Sequence, residues 1–289
     1  MAESPAHRFG QVIGELLESV VLPQLEDFCR SEGLYLDHQK KDRQTRSGKK
    51  VSWTDQYGNA HDLDFVIERD GTDKEIGKPV AFIESAWRRY TKHSRNKAQE
   101  IQGAILPLAE KYRWNNPFLG TVLAGVFTEG SLDQLRSLGF HVLYFPYGSI
   151  VAAFQSEKID IAFDESTPDR VFRQTTTRIG NSPPETIAKI RMHLVEANQA
   201  AIDNFFAALR QRLGRHITRV VVIPLYGRVN EFATIEEALG FLDAHVIYEG
   251  SGEFRKYEIR VEFSNGDKVE ASMEAKNKVK EFLAVVARQ

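Results

Sequence analysis

Asp64 and Glu84 are the residues of this chain whose type and spacing best suit chemistry. Asp64 lies in "HDLDFVIER", where Leu63, Phe65 and Ile67 alternate with Asp62, Asp64 and Val66, the period of a half-buried strand. Glu84 ends the continuous apolar run of "PVAFIESAW", a length and composition that suit a central strand buried on both faces. The two are twenty positions apart with the turn "DGTDKEIGK" between them, which suits neighbouring strands and would bring both carboxylates within reach of one metal ion. Hard divalent ions take oxygen ligands, and Mg²⁺ commonly uses one or two carboxylates with water and substrate phosphate. Such a pair can organise phosphodiester hydrolysis, the metal polarising the phosphoryl oxygen and supplying a hydroxide-like nucleophile. A nearby cation would offset the developing negative charge. Each acid also has a plainer use, Asp64 on an exposed strand face and Glu84 in a salt bridge with Arg88.

Cations follow Glu84 closely: Arg88, Arg89, Lys92, Arg95 and Lys97. A second tract, Lys40, Lys41, Arg43, Arg46, Lys49 and Lys50, precedes Asp64 within "HQKKDRQTRSGKKVSW", which reads as a solvated loop or irregular strand pair. The formal net charge is only -2, so a polyanion site must come from local clustering. Two cationic tracts flanking the carboxylates predict a phosphate-binding rim, with Arg88, Arg89, Lys92, Arg95, Lys49 and Lys50 as contacts. On the helix expected after Glu84, Ile101, Ala104, Ile105, Leu108 and Tyr112 share the face that Lys97 begins. Lys97 is therefore expected to point inward, where Glu84 is the natural partner for an ammonium removed from water. The alternative is a stem lying over Ile101 with its head in water. Lys92 and Arg95 take the role if the helix phase differs. Trp53, Trp87 and Tyr90 could stack on bases or pack in the core.

The elements that must position these groups can be read from periodicity. Phe9, Val12, Ile13, Leu16, Leu17, Val20, Val21, Leu25 and Phe28 predict a helix over 6–31, kinked at Pro23. Beyond Tyr112, "FLGTVLAGVF" is a strand, "SLDQLRSLG" a short helix closed by Gly139, and "FHVLYFPY" and "IVAAF" further strands. Strand and helix alternate as in an α/β sheet with a crossover connection. The segment 164–185 has loop composition and the Pro183-Pro184 pair, which predicts a boundary between domains at 1–165 and 184–289. The second domain is expected to hold a helix over 184–213, a strand in "ITRVVVIPL", a short helix capped by Thr234, a hairpin turning at Asn265-Gly266 and a final helix. This smaller α+β domain suits recognition or dimerisation.

A length of 289 residues with 42% hydrophobic and 27% charged residues is the balance of a soluble globular protein. The lone Cys29 excludes an intramolecular disulfide and a Cys-rich zinc site and suits a reducing cytoplasm. No signal peptide or membrane span is expected.

The Asp64 and Glu84 strands, a Glu-bearing first helix, the basic helix and the strand-helix-strand "TVLAGVF…LRSLGFHVLYF" together resemble the PD-(D/E)XK nuclease superfamily, which includes type II restriction endonucleases. The resemblance covers roughly residues 9–155. It implies a restriction-endonuclease-like mixed central sheet flanked by helices, and a Mg²⁺-dependent (or Mn²⁺-dependent) endonuclease acting on double-stranded DNA in restriction or antiphage defence. Asp64 matches the metal-binding Asp, Glu84 the (D/E) position, and Glu15 the place where some relatives keep an extra acidic ligand. Leu63 stands in place of the usual Pro. Ala86 stands where the motif lysine belongs, which leaves two alternatives: Lys97 supplies the cation from the helix, as in relatives whose lysine has moved, or the chain is a catalytically inactive, nuclease-derived DNA-binding or complex-assembly subunit. Pro168-Asp169 has no acidic-X-Lys strand after it and is set aside. Cleavage of both strands needs two active sites or two passes, so a homodimer is the expected solution, with a methyltransferase or other defence subunit as a further candidate partner.

Overall fold

The computed structural model describes residues 4–90, 94–214, 216–225, 228–244, 254–264 and 267–287. In chain order it contains helix α1 (Pro5–Ser31), strands β1 (Tyr35–His38), β2 (Val51–Thr54), β3 (Ala60–Leu63), β4 (Phe65–Arg69) and β5 (Lys78–Arg88), helix α2 (Ser94–Lys111), strand β6 (Phe118–Gly125), helix α3 (Glu129–Ser137), strand β7 (His141–Pro146) and helices α4 (Tyr147–Ser156), α5 (Asp169–Gly180), α6 (Pro184–Ala197) and α7 (Gln199–Leu213). There follow β8 (Ile217–Pro224), β9 (Asn230–Phe232), α8 (Ile235–Ala244), β10 (Tyr257–Phe263), β11 (Lys268–Met273) and α9 (Lys276–Val286). The chain divides into two compact units after Ala208, within α7.

Local chemistry sets α1 in place. The Ser4 hydroxyl accepts the His7 amide at 3.2 Å, and Pro5 occupies the first turn, where its missing N–H costs nothing. The stripe from Phe9 to Phe28 is buried, and the helix continues through Pro23 without interruption.

The central sheet of the first unit has the order β1-β4-β5-β6-β7. Its β1/β4 and β4/β5 pairs are antiparallel and its β5/β6 and β6/β7 pairs parallel, the latter two joined through α2 and α3. The sheet is therefore mixed, with helices packed against it. Phe82 and Ala86 of β5 share an apolar cluster with Ala98, Ile101, Ile105 and Leu108 of α2. Trp87, on the alternate face, lies beside Gly10 of α1. Gly125 closes β6 at φ +98, and a side chain there would strike the Arg88 carbonyl and the Trp87 ring. Only glycine lets the two strand ends approach this closely.

Several expectations change. "HDLDFVIER" is two strands: β3 pairs with β2 in a separate hairpin, β4 joins the central sheet, and Asp64 is the residue between them. "IVAAF" lies in α4, with Ile150, Ala153 and Phe154 buried at helical spacing. The 164–185 segment contains α5, whose Phe172, Thr175 and Ile179 are buried on one face, and α5 packs on α1. The division into units falls later in the chain than that segment. The helix over 184–213 is two helices meeting at Asn198, whose side-chain amide donates to the Leu194 carbonyl at 2.7 Å.

The upstream basic tract is not simply a solvated loop. Arg43 is buried and donates to Asp37 (2.9 Å), to both carboxylate oxygens of Glu68 and to the Thr72 and Glu75 carbonyls. Arg46 donates to the other Asp37 oxygen at 3.0 Å. Two acidic side chains from β1 and β4 draw these arginines inward, because buried carboxylates need a charged partner.

The second unit is an antiparallel sheet of order β11-β10-β8-β9. Tyr257, Ile259, Val261 and Phe263 of β10 pack with Ile235, Leu242, Val279 and Leu283 from α8 and α9. Thr234 caps α8 by accepting the Glu237 amide at 3.2 Å. The expected Asn265-Gly266 turn lies outside the described residues; Glu262 and Lys268 on its two sides pair in register. No helix among the described residues is long and apolar enough to cross a membrane.

Candidate active-site cleft

Register brings the two acids together. Phe65 of β4 pairs with Ile83 of β5, so in an antiparallel ladder the next positions are Asp64 and Glu84. The chain bends at Asp64 to enter the β2/β3 hairpin, and Asp64 Oδ2 accepts both the amide (2.7 Å) and the hydroxyl (2.8 Å) of Ser85. These two bonds fix the carboxylate against β5. Among the described residues, Asp64 Oδ1 and both oxygens of Glu84 have no protein hydrogen-bond partner.

Both carboxyls hold their protons more tightly than usual. Burial raises Asp64, with the Glu18 charge adding to it, while the Ser85 hydrogen bonds and Lys97 oppose the shift. Burial and the neighbouring Asp64 push Glu84 up to about 8, again against Lys97. Two half-buried carboxyls, the Asp64 charge adding to the burial that disfavours an ionised Glu84, form a site that would favour a cation.

Asp64 opens onto a cleft of about 930 Å³ between the α1 face, the end of β5 and the start of α2. Glu15, Arg88, Arg89 and Lys97 line it; Glu84, on which the Asp64 charge acts, does not. Lys97 is mostly buried and turned inward, yet its ammonium pairs with Glu100 at 3.3 Å, and its effect on Asp64 and Glu84 is through space. Arg88 also leans on Glu100, at 3.7 Å. Ala86 is buried against the α2 cluster, with no cation at the motif-lysine position.

Other candidates fall elsewhere. Glu15 is exposed on the cleft wall and does not figure among the charges acting on Asp64 or Glu84. Glu18, one turn on, acts on Asp64 and is itself held by Lys40 at 3.0 Å and Gln39 at 3.2 Å. Arg95 is exposed and outside the cleft lining, as are Lys49 and Lys50, the latter paired with Asp62. Lys92 lies outside the described residues. Trp53 packs edge-on against Phe82 and Tyr112, a core role. Among the described residues no three histidine, cysteine or acidic side chains gather to cage a metal ion. The donor set on offer is two carboxylates, which suits an ion that keeps most of its ligands as water and substrate oxygens.

Sequence reasoning missed Ser85, the residue that anchors Asp64, because a serine between Glu84 and Ala86 carries no signal of its own.

No family model matches the chain, and no curated protein matches it. Among solved structures it is similar to a crystal structure described as a protein of unknown function, AF1548, at 12% identity and a TM-score of 0.30, over 66% of this chain and 98% of that one. A likeness so distant says nothing of activity.

Proposed function

We propose that this chain is a divalent-metal-dependent endonuclease of the restriction-endonuclease-like kind, acting on DNA in restriction or antiphage defence. The observation that carries the reading is the approach of Asp64, at the entry to β4, to Glu84 of β5, with free oxygens and ionisation disfavoured at both, beside an open cleft. The element order also supports it: a Glu-bearing helix, Asp64 at the entry to a strand antiparallel to the Glu84 strand, a helix, then a strand parallel to the Glu84 strand.

Asp64 and Glu84 would hold Mg²⁺ or Mn²⁺; when bound, such an ion polarises a phosphoryl oxygen and lowers the pKa of a bound water. Ser85 keeps the Asp64 carboxylate in one orientation, so little reorganisation is needed when the substrate arrives. Lys97 favours the ionised forms of both acids and places positive charge where the scissile phosphate would lie. Cleavage of a duplex takes two such sites or two passes of one, and a symmetric dimer is the arrangement this reading expects.

The test is incubation of plasmid and linear DNA with Mg²⁺ or Mn²⁺. Nicking or cutting that disappears in Asp64→Ala and Glu84→Ala supports the reading. DNA retention without cutting under either metal favours the second reading, a nuclease-derived binding subunit. The specific observation behind that alternative is the buried Ala86 at the motif-lysine position together with a Lys97 ammonium already paired to Glu100.

A further inference from the structure

Arg89 differs from the other cations of the cleft. Arg88 and Lys97 both share Glu100, whereas among the described residues no carboxylate pairs with Arg89. Its guanidinium carbon lies 4.2 Å from the centroid of the Tyr90 ring and 4.2 Å from that of Phe172. Those rings are themselves fixed. The Tyr90 hydroxyl donates to the Asp164 carbonyl at 2.7 Å, and Phe172 packs with Phe9 and Phe163 at centroid distances of 5.8 and 4.8 Å. The segment expected to be an interdomain linker thus folds back to clamp an arginine into the cleft wall.

Aromatic faces attract the guanidinium but offer its N–H groups no acceptor in the ring plane. Arg89 Nη1 is buried and, among the described residues, has no hydrogen-bond partner. A planar cation held rigid at the cleft wall, paired with no carboxylate among the described residues, is prepared for an oxyanion that enters the cleft. Phosphate is such a group, and guanidinium is more weakly hydrated than ammonium and matches its geometry.

We propose that Arg89, clamped by Tyr90 and Phe172, anchors a substrate phosphate in the cleft, set apart from the one near Asp64 and Glu84. The assignment rests on the nucleic-acid reading above and names the residue that fixes the strand's register. Clamping removes the rotamer entropy that an exposed arginine would lose on binding, so the contact is preorganised. Arg89 is a binding residue, not a metal ligand, and its contribution does not require a divalent ion.

The experiment is fluorescence anisotropy of labelled oligonucleotides in EDTA, over a salt series, with wild type, Arg89→Ala and Arg89→Lys. Each oligonucleotide is used with and without a 5′-phosphate. Arg89→Ala is expected to weaken binding about 10-fold and to reduce the slope of log K against log salt by about 1. Arg89→Lys is expected to recover only a minor part of the loss, because lysine keeps the charge but cannot fill the planar clamp. Equal losses with both oligonucleotides assign an internal phosphodiester, and loss only with the phosphorylated one assigns a terminal phosphate. Affinity within twofold of wild type for Arg89→Ala, or full recovery by Arg89→Lys, overturns the proposal. A thermal melt of each variant separates lost contact from lost fold, and Arg89→Lys retains charge and stem should Arg89→Ala unfold. Because no cleavage is read, Arg89-dependent binding by a protein that never cuts leaves the anchor standing and removes the nuclease reading. Cutting with Arg89-independent binding does the reverse.

Discussion

Asp64 accepts two hydrogen bonds from Ser85, the residue that immediately follows Glu84. The carboxylate at the junction of β3 and β4 is thereby tied to the strand that carries Glu84. Ser85→Ala removes the hydroxyl donor and leaves the amide. Hydrogen bonds to charged groups contribute about 1.5–3 kcal/mol, so Asp64 should be less well oriented and cleavage should fall about 10-fold or more. Single-turnover cleavage rates check this, and unchanged rates would show that the amide alone suffices.

Charge at Glu84 couples stability to pH. Its folded-state pKa is raised from 4.5 to about 8, so the fold favours the protonated form. The resulting contribution to stability is fully present below about 4.5 and is lost as pH rises through about 8. Thermal midpoints in EDTA should therefore fall between these limits. Glu84→Gln should flatten that fall, and Mg²⁺ or Mn²⁺ should reduce it for wild type by stabilising the ionised carboxylates. Melts across the pH range, with and without metal, supply the measurement.

Gly14 sits inside α1 and lines the cleft, and a Cβ there meets nothing within 4 Å. The protein's own packing does not require glycine at this position. Gly14→Ala should raise stability by about 0.5–1 kcal/mol while narrowing the cleft and weakening oligonucleotide binding. Denaturant unfolding and anisotropy together test for this opposition of effects.

The buried arginine network has a structural signature. Arg43→Ala strands the carboxylate of Glu68, 0% exposed, without its cation and leaves Asp37, 2% exposed, with Arg46 alone. Removing one partner of a buried pair typically costs about 3–5 kcal/mol, which should appear in urea unfolding. A role for Arg43 on a phosphate rim would instead leave stability unchanged and lower DNA affinity.

What could be read from the residues alone follows from how local each feature is. Asp64 and Glu84 were legible because two strand patterns and an intervening turn nearly fix an antiparallel register. The inward turn of Lys97 followed from helical phase, but its pairing with Glu100 did not, since Glu100 competes one turn along the same helix. Glu18 was missed in favour of Glu15 because both occur on α1, and only packing shows which acid acts on Asp64. Arg43 looked solvated because its burial depends on Asp37 and Glu68, residues brought together by strand pairing. The helix α5 was hidden by a composition rich in threonine and arginine, though Phe172, Thr175 and Ile179 keep a helical stripe. "IVAAF" was ambiguous for a different reason, as a short apolar run has no period to separate strand from buried helix.

The central claim is that Asp64 and Glu84 jointly hold a divalent ion, and Mn²⁺ titration calorimetry at pH 7 tests it most directly. Run in buffers of different ionisation enthalpy, it reads affinity and proton release together. With Glu84 raised to about 8, wild type should release close to one proton per ion bound. Asp64→Asn and Glu84→Gln should each weaken binding at least roughly 10-fold, and Glu84→Gln should abolish the proton release. Mn²⁺ affinity unchanged in both variants would contradict the account.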